Sequence, residues 1–205
     1  MILAIDTSAG TSVAVLADDG TVVAEHATAD TRRHAEVIGP FLHDALSAVP
    51  GGRAALTAVA VGVGPGPFTG LRVGIAAARV LALALGIPLQ PVPSHEAVAL
   101  RLLVAGEVAG RFAVVTDARR REVAVTVYAA RLPFPAEVEP AHLVERLAFA
   151  PQPGLTVHEV GEIPAVWLAR AAQARQAAGV PFAEPAPLYL RAPDVTLAAP
   201  KRVST

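Results

Sequence analysis

The sequence predicts a mixed α/β protein of two related lobes, the second cut short. Three observations carry this. An apolar run at 2–6 leads directly into two alternating runs, at 11–17 and 21–27, joined by the turn signal "DDG"; a strand and a hairpin therefore open the chain. The same opening returns from Arg111, where "RFAVVTDA", "RRR" and "EVAVTVYAA" read as strand, turn and strand. Each opening is followed by helical material, in a coarse echo without a fixed-period repeat. The divisions predicted are a first lobe at 1–105, a reduced second lobe at 106–192, and a flexible tail at 193–205.

The elements follow in order. Asp30 and Thr31 can cap a helix whose apolar positions Val37, Phe41, Leu42, Ala45 and Leu46 recur at helical spacing, with Pro40 predicting a kink or a late start. Residues 57–63 read as a buried strand. A long helix over about 69–85 is closed by Gly86 with Pro88 beyond it. A third helix starts at a Ser94 cap and ends before Gly106. Residues 131–163 hold much of the proline and are weakly patterned. Residues 164–178 read as a helix, and "PLYLR" at 187–191 as a short strand or an extended docking segment.

Composition narrows the function classes. At 205 residues and 53% hydrophobic content the chain has ample material for a packed core. With no cysteine, disulfides, thiolate zinc sites and a cysteine nucleophile are excluded. Seventeen basic and eighteen acidic residues give a net charge of −1, without the footprint of a protein that binds nucleic acid alone. No uninterrupted apolar run reaches the roughly 18 residues of a membrane span, and the start lacks a basic leader, so a cytoplasmic protein is expected.

The stretch "VGVGPGPFTGLRVG" at 61–74 has the strand, glycine-rich loop and helix layout of a phosphate-binding loop. A P-loop needs a Lys that is absent here; a dinucleotide fingerprint fails because Gly70 follows Gly64 and Gly66 one residue late. Pro65 and Pro67 each remove a backbone donor, so the loop reads as a stiff corner. The helix behind it is apolar nearly all round, with Arg72 and Arg79 its only charges. A second covering element, or another protein, is required.

At "AIDTSAGTS", an Asp at the end of the first strand followed by hydroxyls is what sugar kinases and actin-like ATPases use near a metal-bound phosphate. Asp6, Thr7 and Ser8 are therefore weak cofactor-binding candidates, against the plainer reading of a hydrogen-bonded hairpin. The six histidines form no zinc-binding pair, and Ser94 beside His95 sits in no nucleophile elbow. No catalytic residue and no metal site is assigned. The arginines at 119–121 read as a hairpin tip.

Taken together, "LAIDTS", "RRHAEVIGPFL", "GVGPGPFTGLRVG", "TDARRREV" and "PLYLR" occur in the order and at about the spacing of one family. The chain closely resembles the TsaB (YeaZ) family over nearly its whole length, most weakly across 131–185, and departs from its loop motif at Pro67, where Ser is usual. The resemblance implies an actin/Hsp70/sugar-kinase-like fold of two small lobes. It implies a non-catalytic, dimerising subunit that supports the transferase TsaD, beside the ATPase TsaE, in making threonylcarbamoyladenosine next to the tRNA anticodon. TsaD binds its metal through two histidines of its first helix; here that region reads His34 to Ile38, and Ile38 cannot serve.

No cofactor of its own is expected, a nucleotide being expected only within the complex, and tRNA would be held only indirectly. The family places its first two helices at the subunit contact, which assigns Val37, Phe41, Thr69, Arg72, Val73, Ala76 and Val80 as interface candidates, to within a helical turn. Isolated protein is expected to pair with itself through the same surface. The alternative is a glycoprotease-like or ATP-hydrolysing enzyme of the same superfamily.

Overall fold

The computed structural model describes residues 1–191; the expected tail at 193–205 lies outside them. The first sheet is built from β1 (Ile2–Asp6), β2 (Thr11–Leu16), β3 (Val22–Thr28), β4 (Ala58–Gly62) and β5 (Leu89–Val92), in the order β3-β2-β1-β4-β5. β1 and β4 are parallel neighbours, with Ile5 beside Val61. The second sheet contains β6 (Arg111–Asp117), β7 (Glu122–Ala129), β8 (Ala136–Glu145) and β9 (Thr156–Glu159), in the order β8-β7-β6-β9. Its hairpin and its parallel pairing of β6 with β9 repeat the arrangement of β3-β2-β1-β4. The echo heard in the sequence is a real repetition of topology.

Burial on both faces explains why "ILAID" and "AVAVG" are continuous apolar runs. The pleat divides the buried side chains between two faces. Leu3, Ile5, Val13, Val15, Val59 and Val61 meet α1 (His34–Ser47) and α2 (Phe68–Leu85) on one face. Ala4, Ala14, Ala58 and Ala60 point the other way, where small residues let α4 (Ala165–Ala178) approach through Ala165, Ala169 and Ala172. α3 (Ser94–Val104) lies beside α4, and Phe112, Val114 and Tyr128 of the second sheet close the same core. The layers therefore run α1 with α2, first sheet, α3 with α4, second sheet.

Several local expectations are corrected. α1 begins at His34, and neither Asp30 nor Thr31 caps it; the Asp30 carboxylate instead accepts from the Arg32 N–H at 3.0 Å, in a turn before the helix. The helix does not start late at Pro40, which lies inside it. Ser94 is the first residue of α3 and makes no cap bond, because its hydroxyl is used elsewhere. Three strands escape the sequence reading, the four-residue β9 among them. β5 has only four residues and a proline; β8 is a half-exposed edge strand that accommodates Pro140. α2 is long and apolar enough, by length and composition, to cross a bilayer, but its inner side packs on the first sheet through Leu71, Ile75, Ala78 and Ala82.

Two buried polar contacts tie α3 to its neighbours, one within its layer and one across to the second sheet. Glu96 of α3 and Arg175 of α4 form a bidentate ion pair. His95, with no exposed surface, places Nδ1 2.8 Å from the Thr126 hydroxyl and Nε2 2.9 Å from that of Thr116, so a helix after the first sheet is pinned to two strands of the second. Burial without a countercharge pushes the His95 pKa down to about 3. The folded state keeps this ring neutral while the unfolded chain takes up a proton near pH 6.5, so its contribution to stability is complete above that pH and is lost as pH falls toward 3. In acid denaturation measured between pH 7 and 4, the wild type should lose stability up to about 1.4 kcal/mol per pH unit more steeply than His95→Gln; equal slopes would contradict a buried neutral ring.

Candidate functional site

The ends of β1 and β4 come together because these strands are parallel neighbours, and the chemistry of the hairpin gathers there. Asp6 is 1% exposed. Its Oδ1 accepts from the Ser8 N–H at 2.7 Å and the Ser8 hydroxyl at 2.6 Å, and its Oδ2 accepts from the Ser94 hydroxyl at 2.5 Å. Ser94 Oγ in turn accepts from the Gly64 N–H at 3.1 Å. Burial raises the Asp6 pKa, and the Ser8 and Ser94 bonds pull against that rise.

The glycines of the loop have a spatial cause. Four of the five stand at 62, 66, 70 and 74, every fourth residue, and each faces the Asp6–Thr7–Ser8 stretch or its partners, while Gly64 is needed for a positive φ of 103° beside Leu71. A Cβ on Gly62 would stand 1.8 Å from Asp6 Oδ2, and one on Gly74 would stand 2.3 Å from Thr7 Oγ1. The Thr7 hydroxyl donates to the Gly70 carbonyl at 2.7 Å and accepts from the Gly74 N–H at 3.1 Å. It therefore engages both groups of one rung of α2. The three weak cofactor candidates are thus brought together, and in this arrangement they are buried beneath loop 63–70, their polar groups turned to one another and to the helix.

His34 reaches Thr11 Oγ1 with Nδ1 at 2.8 Å, while Ile38 lies in the apolar core. Burial, aided by the Arg119 charge, lowers the His34 pKa. Among the described residues there is no cluster of three His, Asp or Glu suited to a metal.

The interface candidates divide into three groups. Thr69, Val73, Ala76 and Val80 recur at intervals of four, three and four along α2, opposite the side that meets the sheet. Val80 is 66% exposed, Ala76 and Thr69 are exposed, and Val73 is half-buried. Leu83, 85% exposed, continues the stripe and was missed because the sequence alone left its phase uncertain by a turn. Val37 and Phe41 of α1 are half-buried, and the Phe41 ring stacks on His26 at 5.6 Å.

Arg72 belongs to the third group. Its guanidinium lies 3.7 Å over the Phe68 ring and its Nε donates to the Tyr189 hydroxyl at 2.9 Å. Tyr189 stacks on Phe68 at 4.8 Å, and Arg79 bonds the Pro185 carbonyl. "PLYLR" is therefore an extended docking segment, not a strand, and it covers one flank of α2. His34, close to Gly70, marks α1 on the other flank. The all-round apolar character of α2 is then accounted for on three sides, by the sheet, by α1 and by the docking segment at 185–191. The stripe from Thr69 to Leu83 faces away from all three, with Val73 half-buried and Thr69, Ala76, Val80 and Leu83 exposed.

A family model described as "TsaD: tRNA N6-adenosine threonylcarbamoyltransferase" matches residues 11–132. The structure of YeaZ from Pseudomonas aeruginosa superposes with a TM-score of 0.74 at 26% identity, covering 92% of this chain and 99% of that one. The chain belongs to the TsaB (YeaZ) family. An uncharacterized protein of Mycobacterium tuberculosis is 41% identical over 94% of this chain and 92% of its own length. A Bacillus subtilis protein named tRNA threonylcarbamoyladenosine biosynthesis protein TsaB is 33% identical, over 62% of this chain and 54% of that one. The mixed α/β fold with two sheets is the fold of this family, of the actin/Hsp70/sugar-kinase type expected from the sequence.

The Asp6 cluster makes a direct prediction. Asp6→Ala leaves the Ser8 N–H and two buried hydroxyls without an acceptor, at a cost of about 1–3 kcal/mol for each group left unpaired, whereas Asp6→Asn retains an acceptor oxygen. Urea denaturation should place Asp6→Ala well below Asp6→Asn. Because burial raises the Asp6 pKa, the wild type should also lose stability relative to Asp6→Asn as pH rises from about 4 through the folded pKa. Equal stability of the two variants would contradict these bonds.

Proposed function

We propose that this chain is a non-catalytic subunit that binds a TsaD-type transferase and supports it in N6-threonylcarbamoylation of the adenosine beside the tRNA anticodon. The observation that carries this reading is the outward-facing stripe of Thr69, Val73, Ala76, Val80 and Leu83 on α2, exposed at every position but the half-buried Val73. The names of the matching family model and of the Bacillus subtilis relative supply the pathway. The partner's helices would cover the stripe, with α1 contributing through Val37 and Phe41. Isolated protein would pair with itself through the same stripe, in competition with TsaD, and TsaE would join the assembled pair.

The role assigned to Asp6 is structural. Its oxygens are occupied by Ser8 and Ser94, so the chain needs no cofactor, and any nucleotide would sit at the joint between subunits. tRNA would be held through the complex, in the cytoplasm. The rival reading is enzymatic: one matched Pseudomonas aeruginosa structure is described as similar to peptidase YeaZ. ATP or glycoprotein hydrolysis by the purified chain, lost in Asp6→Asn, would decide for the enzyme.

Co-expression with the same organism's TsaD, followed by size exclusion, tests the assembly. Val80→Glu and Leu83→Glu each place a charge where the partner would remove water. Burial of an unpaired charge costs about 3–5 kcal/mol, so the heterodimer should dissociate at concentrations where the wild type remains associated. Both positions are exposed, so the variants' own stability should change by less than about 0.5 kcal/mol. Intact complexes in both variants would place the interface elsewhere.

A further inference from the structure

The tip of the β6–β7 hairpin sets three consecutive arginines in the left-handed region, with φ of 66° at Arg119, 53° at Arg120 and 64° at Arg121. Among the described residues no other non-glycine residue has a positive φ. We propose that this tip is a contact for an RNA phosphate backbone, used when the assembled complex holds its tRNA; the inference rests on reading the chain as a subunit of that complex.

The first support is the backbone. Left-handed φ is unfavourable for any residue with a β-carbon, and glycine is its usual occupant. Here the conformation is pinned by the Ala118 N–H to the Glu122 carbonyl at 3.0 Å, the Glu122 N–H to the Arg119 carbonyl at 2.9 Å, and the Arg146 N–H to the Arg121 carbonyl at 2.7 Å. A tip that only had to turn the chain would be better built from glycine, so these positions retain their side chains at a cost to the fold. All three arginines are exposed. Successive residues of such a turn are rotated by about 100°, so the three side chains leave the tip as a fan instead of alternating across the hairpin.

The second support is charge. Arg119 donates to the Thr31 hydroxyl, a neutral acceptor, which fastens the tip to the turn before α1. The carboxylates around it are engaged by other arginines: Asp117 and Glu159 hold Arg146, Glu122 holds Arg191, and Asp30 lies beside Arg32. Among the described residues no carboxylate pairs with Arg119 or Arg121. The Arg119 charge also reaches His34, whose pKa is lowered by burial and then by that charge. The tip stands at the head of α1, about one and two turns before Val37 and Phe41, and so beside the proposed docking face instead of on it. A polyanion crossing the edge of the subunit joint meets it there. The reaction named for the matching family is carried out on tRNA, and arginine forks fit phosphate oxygens bidentately. With a net charge of −1 the chain adds a local contact to a partner's hold on RNA.

Fluorescence anisotropy of a labelled tRNA transcript, titrated with the purified heterodimer of this chain and the same organism's TsaD between about 50 and 200 mM salt, tests this. Arg119→Gln and Arg121→Gln should each weaken binding about threefold and flatten the slope of log K against log salt by about 1. Size exclusion without RNA should show both variants in heterodimers as stable as the wild type. Arg121→Gly removes the same cation and relieves the backbone. It should weaken tRNA binding as Arg121→Gln does while raising the Tm of the isolated chain by roughly 2–4 °C; a rise in Tm with tRNA affinity unchanged would make the tip a turn and nothing more. Variants that assemble normally and bind tRNA with wild-type affinity and salt slope overturn the inference and leave the subunit reading standing. Heterodimers weakened by these variants without RNA assign the tip to an acidic surface of the protein partner, which also overturns it. Absence of a wild-type heterodimer overturns both.

Discussion

The carboxylate of Asp6 is the point on which the first lobe is assembled. Because β1 and β4 run side by side and parallel, Asp6 emerges where β4 ends and α3 begins, and its two oxygens collect the Ser8 backbone, the Ser8 hydroxyl and the Ser94 hydroxyl. Ser94 passes the connection on to Gly64. Thr7, one residue away, grips α2 at the Gly70–Gly74 rung. Three consecutive side chains thereby fix a strand, a loop and two helices. The cost is a buried carboxyl whose ionisation is disfavoured, offset by three donors at 2.5–2.7 Å.

This arrangement accounts for the glycines better than phosphate binding does. A phosphate cradle would need free backbone donors around an open space. Here the close approach is between protein and protein: β-carbons at 62, 66, 70 and 74 would overlap the hairpin or its partners. Pro65 and Pro67 lose donors that this packing does not require. The loop keeps the outline of a nucleotide-binding turn while its interior is filled by Thr7 and Ser8. Without a three-dimensional contact the two uses look alike, which is why the sequence excluded a P-loop on the missing Lys and could not say what the glycines were for.

What could be read from the chain follows the same division. The hairpin openings, the buried runs and the long helix were legible because alternation and helical spacing are local properties. Ser94 was misread as a cap, since nothing near it in sequence points to Asp6, 88 residues away. His95 was noted only as Ser94's neighbour; its contacts with Thr116 and Thr126 depend on how the second sheet docks. β8 was hidden by its exposed, proline-bearing edge. For the α2 stripe, helical spacing supplied the period and the sheet supplied the phase, so Thr69, Val73, Ala76 and Val80 were named while Leu83 was not. Arg72 is placed instead on the flank held by Tyr189.

The repeated topology also explains why the apolar stripe belongs to the first lobe. Between β3 and β4 the chain makes α1, and after β4 it makes α2, so the outer face of the first sheet carries two helices. Between β8 and β9 there is no helix, and the outer face of the second sheet is covered by Phe149 and Leu155. After β9 the chain crosses to the inner layer as α4, whose alanines lie against the first sheet. A pair of helices offers a ridged surface into which a second pair can pack, and a short connecting segment does not. Among the described residues the second sheet has no such outer pair, and α1 with α2 is therefore the surface to which the proposed docking is assigned.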